Sequence, residues 1–349
     1  MAPASTIAPV QAGEHVWFGR DLAKQPDTWT WNLSPAEIDE LITAAAPFAE
    51  GHGDLPLIDP DEFPLPTLGA SLAALGETLI TGRGFQLVRG LPVRELGHRH
   101  AAAAFLGLGA HLGSARSQNS AGHLLGHVRD VGLEAQDPEV RIYQTSQRQT
   151  FHTDSADVVG LLCLETAQSG GTSMLASAAT IFNEMMNRAP DLAALLFEPV
   201  ATDRRGEVPE GQKPFFEIPV LNWYDDALTV IYQRQYIDSA QRFAEAPRLT
   251  PRMIAALDMF DQLANDPNLH LALALEVGDM QFVHNHSLLH DRTGFVDKPG
   301  APRHLLRLWL SVDGDRELPP SFAQRYGSVT VGDRGGIITP GAALHAPLP

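Results

Sequence analysis

The spacing of apolar residues predicts helices in the first third of the chain. Apolar side chains recur every three to four positions over residues 68–80 and 101–112, as on the buried face of an amphipathic helix. A third helix is expected from residue 35 to about 49. Ser34 and Glu37 stand at its N-cap and third positions, where each side chain can accept a hydrogen bond from the other residue's backbone N–H.

Strand-like segments dominate the rest of the chain. Runs rich in branched and aromatic residues, bounded by Gly or Pro, predict strands. They cover residues 84–90, 141–150, 158–166, 173–177 and 228–236, and then follow one another over 271–312. Further helices are expected at about 179–188, after Pro190, and at 251–264.

Helices early and strands late indicate an α+β fold rather than alternating β–α–β units. This order suits a β-sandwich or a jelly roll with flanking helices, and the pattern does not distinguish between the two. We expect residues 1–65 to form an N-terminal extension with one capped helix. Residues 66–349 are expected to form a single domain, for which a hydrophobic content of 44% supplies a large core.

Charge and composition exclude several classes of function. The formal net charge is −17, which repels a polyanion and argues against nucleic-acid binding. An anionic small substrate would need a buried arginine of its own. The single cysteine, Cys163, lies in an apolar run and is expected to be a buried hydrophobe rather than a reactive thiol. Residues 1–16 lack a signal-peptide pattern and no segment resembles a membrane helix, so we expect a cytoplasmic protein without a membrane partner.

One H-x-D pair is suited to binding a metal. Residues i and i+2 of a strand point to the same side. His152 and Asp154, at the end of a predicted strand, could therefore provide two of the three ligands of an Fe(II) facial triad. The same spacing occurs at His52 and Asp54, but that pair lies in a Gly-, Pro- and Asp-rich segment predicted to be a loop. We favour the first pair.

The third ligand must come from a distant strand. Three histidines, His284, His286 and His290, stand within seven residues of one another. In a regular strand all three share a face, so periodicity does not choose among them. Histidines with a purely structural role are the alternative.

One arginine is expected to be buried. Arg307 lies in the apolar run 305–310, where a charge requires a partner. A guanidinium there could bind the far carboxylate of an organic-acid cosubstrate, or it could form an internal salt bridge. Arg303 adjoins a Pro-containing turn and is expected to be exposed.

Taken together, these segments resemble the taurine dioxygenase-like branch of the clavaminate synthase-like superfamily. The resemblance covers roughly residues 80–315 and rests on four motifs in order. They are Phe-His-Thr-Asp at 151–154, Ser-Gly-Gly-Thr-Ser at 169–173, Asn-His-Ser-Leu-Leu-His-Asp-Arg-Thr-Gly-Phe at 285–295, and Arg-His-Leu-Leu-Arg-Leu-Trp-Leu at 303–310.

The resemblance implies a double-stranded β-helix (jelly-roll) core and a dioxygenase that uses Fe(II), 2-oxoglutarate and O2. The family's distal ligand precedes an Arg and an aromatic residue, which selects His290 to complete the triad with His152 and Asp154. The family's cosubstrate arginine matches Arg307. Its hydroxyl residue matches Ser173, with Thr172 one position away. Because the carboxylate ligand is present, hydroxylation is favoured over halogenation.

The substrate is expected to be a small organic molecule that bears a carboxylate. Arg148, Tyr143 and Asn285 are candidate substrate contacts, and each could equally have a structural role. Two other interpretations remain open: a cupin-like metalloenzyme that does not use 2-oxoglutarate, and a non-catalytic jelly-roll protein that binds a small molecule. A homodimer is a further expectation.

Overall fold

The structure is a computed structural model that describes residues 7–133, 141–339 and 341–348. Its α-helices are α1 (Gly19–Leu22), α2 (Pro35–Ala49), α3 (Gly69–Ile80), α4 (Val93–Ala110), α5 (Ala178–Arg188), α6 (Pro190–Leu195), α7 (Arg234–Ala240), α8 (Pro251–Ala264) and α9 (Ala323–Tyr326). Residues 1–6, where the sequence predicts no signal peptide, lie outside the described ranges.

The strands vary from two to eight residues. They are β1 (Thr30–Asn32), β2 (Phe85–Arg89), β3 (Ser114–Ala115), β4 (Leu125–Val128), β5 (Gln149–His152), β6 (Val158–Glu165), β7 (Ser169–Gly170), β8 (Ser173–Ser177), β9 (Pro199–Asp203), β10 (Phe215–Pro219), β11 (Leu221–Tyr224), β12 (Ala227–Val230), β13 (Leu271–Leu273), β14 (Met280–His284), β15 (Leu288–Arg292), β16 (Phe295–Val296) and β17 (His304–Ser311).

Two sheets face each other and enclose the interior. The larger has the strand order β1-β2-β14-β6-β17-β3, with β4 also paired to β17, and the smaller has the order β13-β8-β15-β5. β1 and β2 run parallel, whereas the neighbouring pairs β2–β14, β14–β6 and β17–β6 are antiparallel. Leu87 and Val283 of the larger sheet pack with Leu175 and Leu288 of the smaller. The chain therefore combines helices with largely antiparallel sheets, as the sequence pattern predicts.

The two-residue period of β17 separates the core from the site. Leu306, Leu308 and Leu310 belong to the core cluster that includes α3 and α4. Arg307 and Trp309 alternate with them, so their side chains point to the opposite, inner face. β17 is buried over its whole length. Arg307 is therefore buried, because the strand that carries it is covered on both faces.

Helices cover the outer face of each sheet. α2, α3 and α4 share one core cluster with the larger sheet, and α5, α6 and α8 share another with the smaller sheet. The predicted capping box of α2 is confirmed, because Ser34 Oγ accepts from the Glu37 N–H and Glu37 Oε2 accepts from the Ser34 N–H at 2.7 Å. β1 also pairs with β2, so the first 65 residues share the core. The domain boundary at residue 65 stays a prediction.

Two predicted strands were wrong in extent. Residues 141–150 form a 3-10 turn (Ile142–Gln144), and the strand begins only at Gln149. In the segment 228–236, β12 ends at Val230 and α7 begins at Arg234. Both segments are rich in branched and aromatic residues, but tertiary contacts override that propensity.

Two expectations about individual features are confirmed. Cys163 is buried, and burial raises the pKa of its thiol to about 12, so the thiolate is disfavoured. Among the described residues, no helix has both the length and the hydropathy needed to cross a bilayer.

A buried ionic cluster ties distant segments together. This cluster, the Asp157 network, consists of Asp157, His284, His286, Asp315 and Arg334. Arg334 donates to Asp157 at 2.7 Å and to Asp315 at 3.0 Å. His286 Nε2 lies 2.8 Å from Asp157, and His284 Nε2 lies 3.0 Å from Asp315. The loop after β5, the turn between β14 and β15, the segment after β17 and the C-terminal segment are therefore held at one point.

Replacing Arg334 by Met should lower the free energy of unfolding by about 3–5 kcal/mol, because it removes the arginine that Asp157 and Asp315 share and leaves Asp157 without its buried cation. Urea unfolding of both proteins measures the loss. Arg188→Gln removes an arginine from a solvent-exposed pair with Glu184 and should cost at most about 1 kcal/mol. Similar losses in both variants would contradict a stabilising role for the Asp157 network.

Stability should also fall as the pH is lowered from about 6.5 toward 4. Burial lowers the pKa of His284 to about 4 and that of His304 to about 3. In the unfolded chain both return to about 6.5, so the unfolded state takes up protons that the folded state does not. Stability present above pH 6.5 is then lost by about 1.4 kcal/mol per pH unit for each histidine. Urea unfolding at pH 6.5 and 5 should show a shallower dependence in His304→Gln, and an unchanged slope would refute this account.

Candidate metal centre and its two cavities

β5 and β15 bring two histidines face to face. His152 and His290 are paired directly across the two antiparallel strands, and their ring centroids lie 4.1 Å apart. Asp154 Oδ2 lies 3.7 Å from His290 Nε2. One donor atom from each of the three residues lies within 4.8 Å of the others. Two imidazoles and one carboxylate at this spacing can bind a single ion through one face.

The hydrogen bonds of His152 fix which ring nitrogen could bind a metal. Its Nδ1 lies 2.8 Å from the Thr150 carbonyl oxygen, which can only accept, so Nδ1 carries the proton. The lone pair of Nε2 accepts from the Gln149 amide at 2.8 Å. Burial lowers the pKa of His152 to about 3, so the ring is neutral at physiological pH. A neutral imidazole whose unprotonated nitrogen lies near the other two groups is prepared for metal binding, once a metal takes the place of the Gln149 amide.

Asp154 carries the negative charge of the centre. Arg307 Nη1 donates to its carboxylate at 3.1 Å, and Trp309 Nε1 donates at 3.0 Å. Burial alone would raise the pKa of Asp154. The charge of Arg307 outweighs this effect and holds the pKa of Asp154 well below its usual range. The carboxylate is therefore ionised and oriented without a metal.

Asn285 holds Asp154 in place. β5 ends at His152, so Asp154 is not positioned by the strand period that the sequence suggested. Instead Asn285 Oδ1 accepts from the Asp154 N–H at 2.8 Å, while Nδ2 donates to the carbonyls of Asp154 and Ala156 at 2.7 and 2.8 Å. The structure thus places Asn285, predicted as a substrate contact, in hydrogen bonds to the backbone of this loop, with its side chain fully buried.

The three neighbouring histidines do not lie on one strand. His284 ends β14, His290 lies on β15, and the turn between these strands carries His286. The shared-face argument therefore fails, and His284 and His286 belong to the Asp157 network. The second H-x-D pair, His52 and Asp54, takes no part in this centre. Asp54 forms an ion pair with His345 instead, and the side chains of Asp54 and His345 are both partly exposed.

Two cavities meet at the candidate metal centre. The first, the Arg303 cavity, is bordered by Ser173, Gln281, Arg292 and Arg303 in addition to His290. The second, the Arg325 cavity, is bordered by residues that include Arg141, Ser155, Phe216, Tyr236, Trp309 and Arg325. Five residues border both: Tyr143, Gln149, His152, Asp154 and Arg307. The centre is therefore open to two separate spaces.

Known proteins match both the sequence and the fold. The family described as "Taurine catabolism dioxygenase TauD, TfdA family" matches residues 48–309. The chain belongs to the TauD/TfdA family. It is 32% identical over 324 residues to FR-33289 synthase of Streptomyces rubellomurinus (strain ATCC 31215), covering 90% of this chain and 94% of that protein. As a member of this family it is an Fe(II)- and 2-oxoglutarate-dependent dioxygenase.

Solved structures share the fold at low identity. Asparagine oxygenase, in complex with Fe(II), 2S,3S-3-hydroxyasparagine and succinate, matches with a TM-score of 0.64 and 18% identity, covering 81% of this chain and 93% of that one. The non-haem iron oxygenase OrfP, in complex with Fe and alpha-ketoglutaric acid, matches with a TM-score of 0.61 and 16% identity, covering 80% and 93%.

The residues present fit the cofactors of the TauD/TfdA family. The three candidate ligands converge as described, and His290 Nδ1 is buried without a hydrogen-bond partner among the described residues. The arginines that border the Arg303 cavity also have buried nitrogens without a partner within the described ranges: Arg292 Nε and Nη1, Arg303 Nη1 and Arg307 Nη2. A carboxylate entering that cavity would therefore find donors that are otherwise unsatisfied.

Arg303 borders this cavity although its sequence context did not predict it. Expected to be exposed, it is 4% exposed, and burial lowers the pKa of its guanidinium to about 10. Its guanidinium carbon lies 5.1 Å from the centroid of Phe295. A Cβ at Gly171 would stand 2.8 Å from Arg303 Nε, so any residue larger than glycine at position 171 would displace this guanidinium. The paired glycines were the signal that could have indicated it.

The other predicted residues are distributed unevenly. Arg307, Ser173 and Tyr143 border the cavities, and Ser173 Oγ donates to Gln281 at 2.8 Å. Thr172 does not border either cavity, and its backbone N–H donates to Thr293. Arg148 also lies outside them, because its guanidinium forms an ion pair with Asp291 at 2.6 Å. The structure does not bring these last two into the site.

Removing the Asn285 side chain should weaken metal binding. Asn285→Ala frees the Asp154 backbone, and loss of an outer-shell partner typically lowers metal affinity by about 10- to 100-fold. Anaerobic titration with Fe(II), or with Co(II) as a visible probe, measures the change. Asn222→Ala removes another buried amide, one that donates to Pro219, and serves as a control for lost stability. Equal metal affinity in Asn285→Ala and the wild type would exclude the positioning role.

Proposed function

We propose that His152, Asp154 and His290 hold the iron, and that the enzyme hydroxylates a C–H bond of a small anionic substrate. The observation that carries this proposal is the position of the largely buried triad between two cavities, each with its own arginine. One cavity would receive 2-oxoglutarate and the other the substrate. When bound, the iron and 2-oxoglutarate supply, with O2, the oxidation that hydroxylates the substrate and releases succinate and CO2.

The Arg303 cavity is the better site for 2-oxoglutarate. It contains His290, and its buried Arg303 has an unsatisfied nitrogen. Ser173 Oγ borders the same space and could donate to a carboxylate in place of Gln281. An always-charged guanidinium with a hydroxyl beside it suits a carboxylate that must leave water. We therefore propose that Arg303 and Ser173 hold the far carboxylate of 2-oxoglutarate.

Arg307, which the sequence predicted for that role, is less suited to it. Its Nη1 already contacts the carboxylate of a candidate metal ligand, and its Nε donates to Gln118 at 2.7 Å. The far carboxylate of 2-oxoglutarate is separated from its metal-binding keto acid by two methylene groups, so it requires a cation further from the ligands. We propose that Arg307 orients Asp154 and takes part in binding the substrate.

The Arg325 cavity would then take the substrate. Its wall includes the aromatic side chains of Phe216, Tyr232 and Trp309, which exclude water from the reacting bond. Tyr143 borders both cavities, and its ring packs under Arg307 at 4.7 Å. These contacts support a role for Tyr143 at the boundary between cosubstrate and substrate.

Two finer structural expectations stay proposals. We propose that the facing sheets form the double-stranded β-helix core expected from the resemblance, supported by the antiparallel order β13-β8-β15-β5 opposite the larger sheet. A homodimer stays a prediction.

The proposal predicts different responses from the two arginines. Anaerobic addition of Fe(II) and then 2-oxoglutarate to the wild type should produce a visible metal-to-ligand absorption band. Arg303→Gln should raise the 2-oxoglutarate concentration for half-maximal absorbance by about 10- to 100-fold, because a charged hydrogen bond contributes about 1.5–3 kcal/mol. Arg307→Gln should raise this 2-oxoglutarate concentration by a smaller factor.

The controls separate the alternatives. His152→Ala should abolish the band, whereas Arg252→Gln, on the exposed face of α8, should leave the titration unchanged. If Arg307→Gln raised the required 2-oxoglutarate concentration more than Arg303→Gln does, then Arg307 and not Arg303 would be the residue that binds the far carboxylate of 2-oxoglutarate. Iron binding without any band in the wild type would favour the cupin-like alternative.

A further inference from the structure

The Arg325 cavity concentrates positive charge in a strongly acidic protein. Three arginines border it, and each comes from a different part of the fold. Arg141 precedes the 3-10 turn before β5, Arg307 lies on β17, and Arg325 lies on α9. The chain as a whole carries a formal charge of −17. This convergence is therefore a local property of the site and not of the surface.

One of the three charges is already balanced. Arg141 forms an ion pair with Glu207, and both side chains are largely buried. Arg325 is different, because its Nε donates to the neutral hydroxyl of Ser155 at 2.7 Å. Burial lowers the pKa of the Arg325 guanidinium by more than the attraction of Glu207 raises it. Its cation is thus incompletely compensated by the protein.

The positive charge of Arg307 is balanced by a carboxylate only while the centre has no metal. Its sole ion-pair partner among the described residues is Asp154. A divalent ion on Asp154 would take up most of that negative charge. Arg307 Nη2, in addition, is buried without a hydrogen-bond partner in the described part of the chain. A carboxylate, Asp203, also borders the cavity, but Arg242 forms an ion pair with it at 3.1 Å. Once the centre is loaded, the cavity therefore presents two incompletely balanced positive charges, on Arg307 and Arg325.

The loaded centre itself does not supply the missing negative charge. Fe(II) with Asp154 and dianionic 2-oxoglutarate carries a net charge of −1, which the Arg303 guanidinium offsets. Uncompensated charges in a closed site are costly, so the substrate is expected to bring about two negative charges. A single carboxylate brings one.

We infer that the Arg325 cavity binds a substrate through a dianionic phosphorus oxyanion, either a phosphonate or a phosphate monoester. The inference rests on the proposed function, since it takes this cavity as the substrate side. A phosphate monoester carries a charge of about −1.5 to −2 at neutral pH and offers three acceptor oxygens. A phosphonate also offers three oxygens and becomes fully dianionic at slightly higher pH or when bound beside cations. Guanidinium groups match it by paired hydrogen bonds, and one compact headgroup can meet cations from several elements at once.

Tyr236 supports an acceptor-rich ligand. Its ring lies 5.1 Å from the guanidinium carbon of Arg205, and its side chain borders the Arg325 cavity. Burial raises the pKa of Tyr236 although Arg141, Arg205 and Arg325 oppose that rise. The phenol therefore keeps its proton and can donate a hydrogen bond to an oxyanion.

The test compares headgroups on the loaded enzyme. Wild-type protein is loaded anaerobically with Fe(II) and 2-oxoglutarate, and the absorption band verifies loading. Isothermal titration calorimetry at pH 8.5, where methyl phosphate and methylphosphonate are both mainly dianions, then measures the binding of these two compounds, dimethyl phosphate and acetate. Methyl phosphate or methylphosphonate should bind at least about tenfold more tightly than the two monoanions. The tighter of the two dianions identifies the source of the headgroup.

Variants assign the binding to the cavity. Arg325→Gln should weaken binding of the preferred dianion by roughly 10- to 100-fold, and Arg325→Lys should restore part of it. Arg252→Gln removes the same charge from the surface and should have no effect. Retained absorption bands in the Arg325 variants show that the fold and the metal centre are intact.

The outcomes distinguish this inference from the proposed function. Equal binding of dimethyl phosphate and methyl phosphate, no binding of either dianion to the loaded enzyme, or an unchanged affinity in Arg325→Gln would each overturn it. In those cases the absorption band would still stand as support for the iron and 2-oxoglutarate. Absence of the band in the wild type would instead count against the proposed function.

Discussion

The buried carboxylate of Asp157 is the constraint on which the site depends. It accepts hydrogen bonds from Arg334, His286, Ser311 and the backbone of Val312. A buried carboxylate stays ionised only where such donors replace water. Since these donors come from distant segments, satisfying one charge fixes the turn before β15, the end of β17 and the C-terminal segment. Asp154 lies three residues earlier on the same loop, so its course is fixed as well.

The Asp157 network also explains why Asn285 can reach Asp154. Asn285 lies between His284 and His286, and each of these histidines is held by a carboxylate of the network. The turn therefore cannot move without breaking buried hydrogen bonds to the network's carboxylates. Its amide group then sets the backbone of Asp154, while β15 continues to His290. One anchored turn thus positions two of the three candidate iron ligands, and register with β5 positions the third.

Local patterns predicted part of this arrangement. His152 and Asp154 are close in sequence, and the capping box of α2 is local too, so neither required knowledge of the fold. The choice of His290 depended on the resemblance, because strand periodicity treats three histidines alike until the turn after β14 is known. Arg303 was missed because a neighbouring proline suggests exposure, and only tertiary packing against Phe295 and Gly171 buries it.

The arginines of the site follow from a single electrostatic requirement. A centre that holds a metal needs an ionised carboxylate in a dry interior, and Arg307 keeps Asp154 ionised before any metal arrives. The same guanidinium borders both cavities, so it interacts with whatever charge occupies either one. Because a metal on Asp154 would weaken the pairing of Arg307 with that carboxylate, loading the centre increases the attraction of the substrate side for an anion. By linkage, an anion bound there would in turn favour the loaded centre. Order of binding can thus arise from one shared cation, without any movement of the fold.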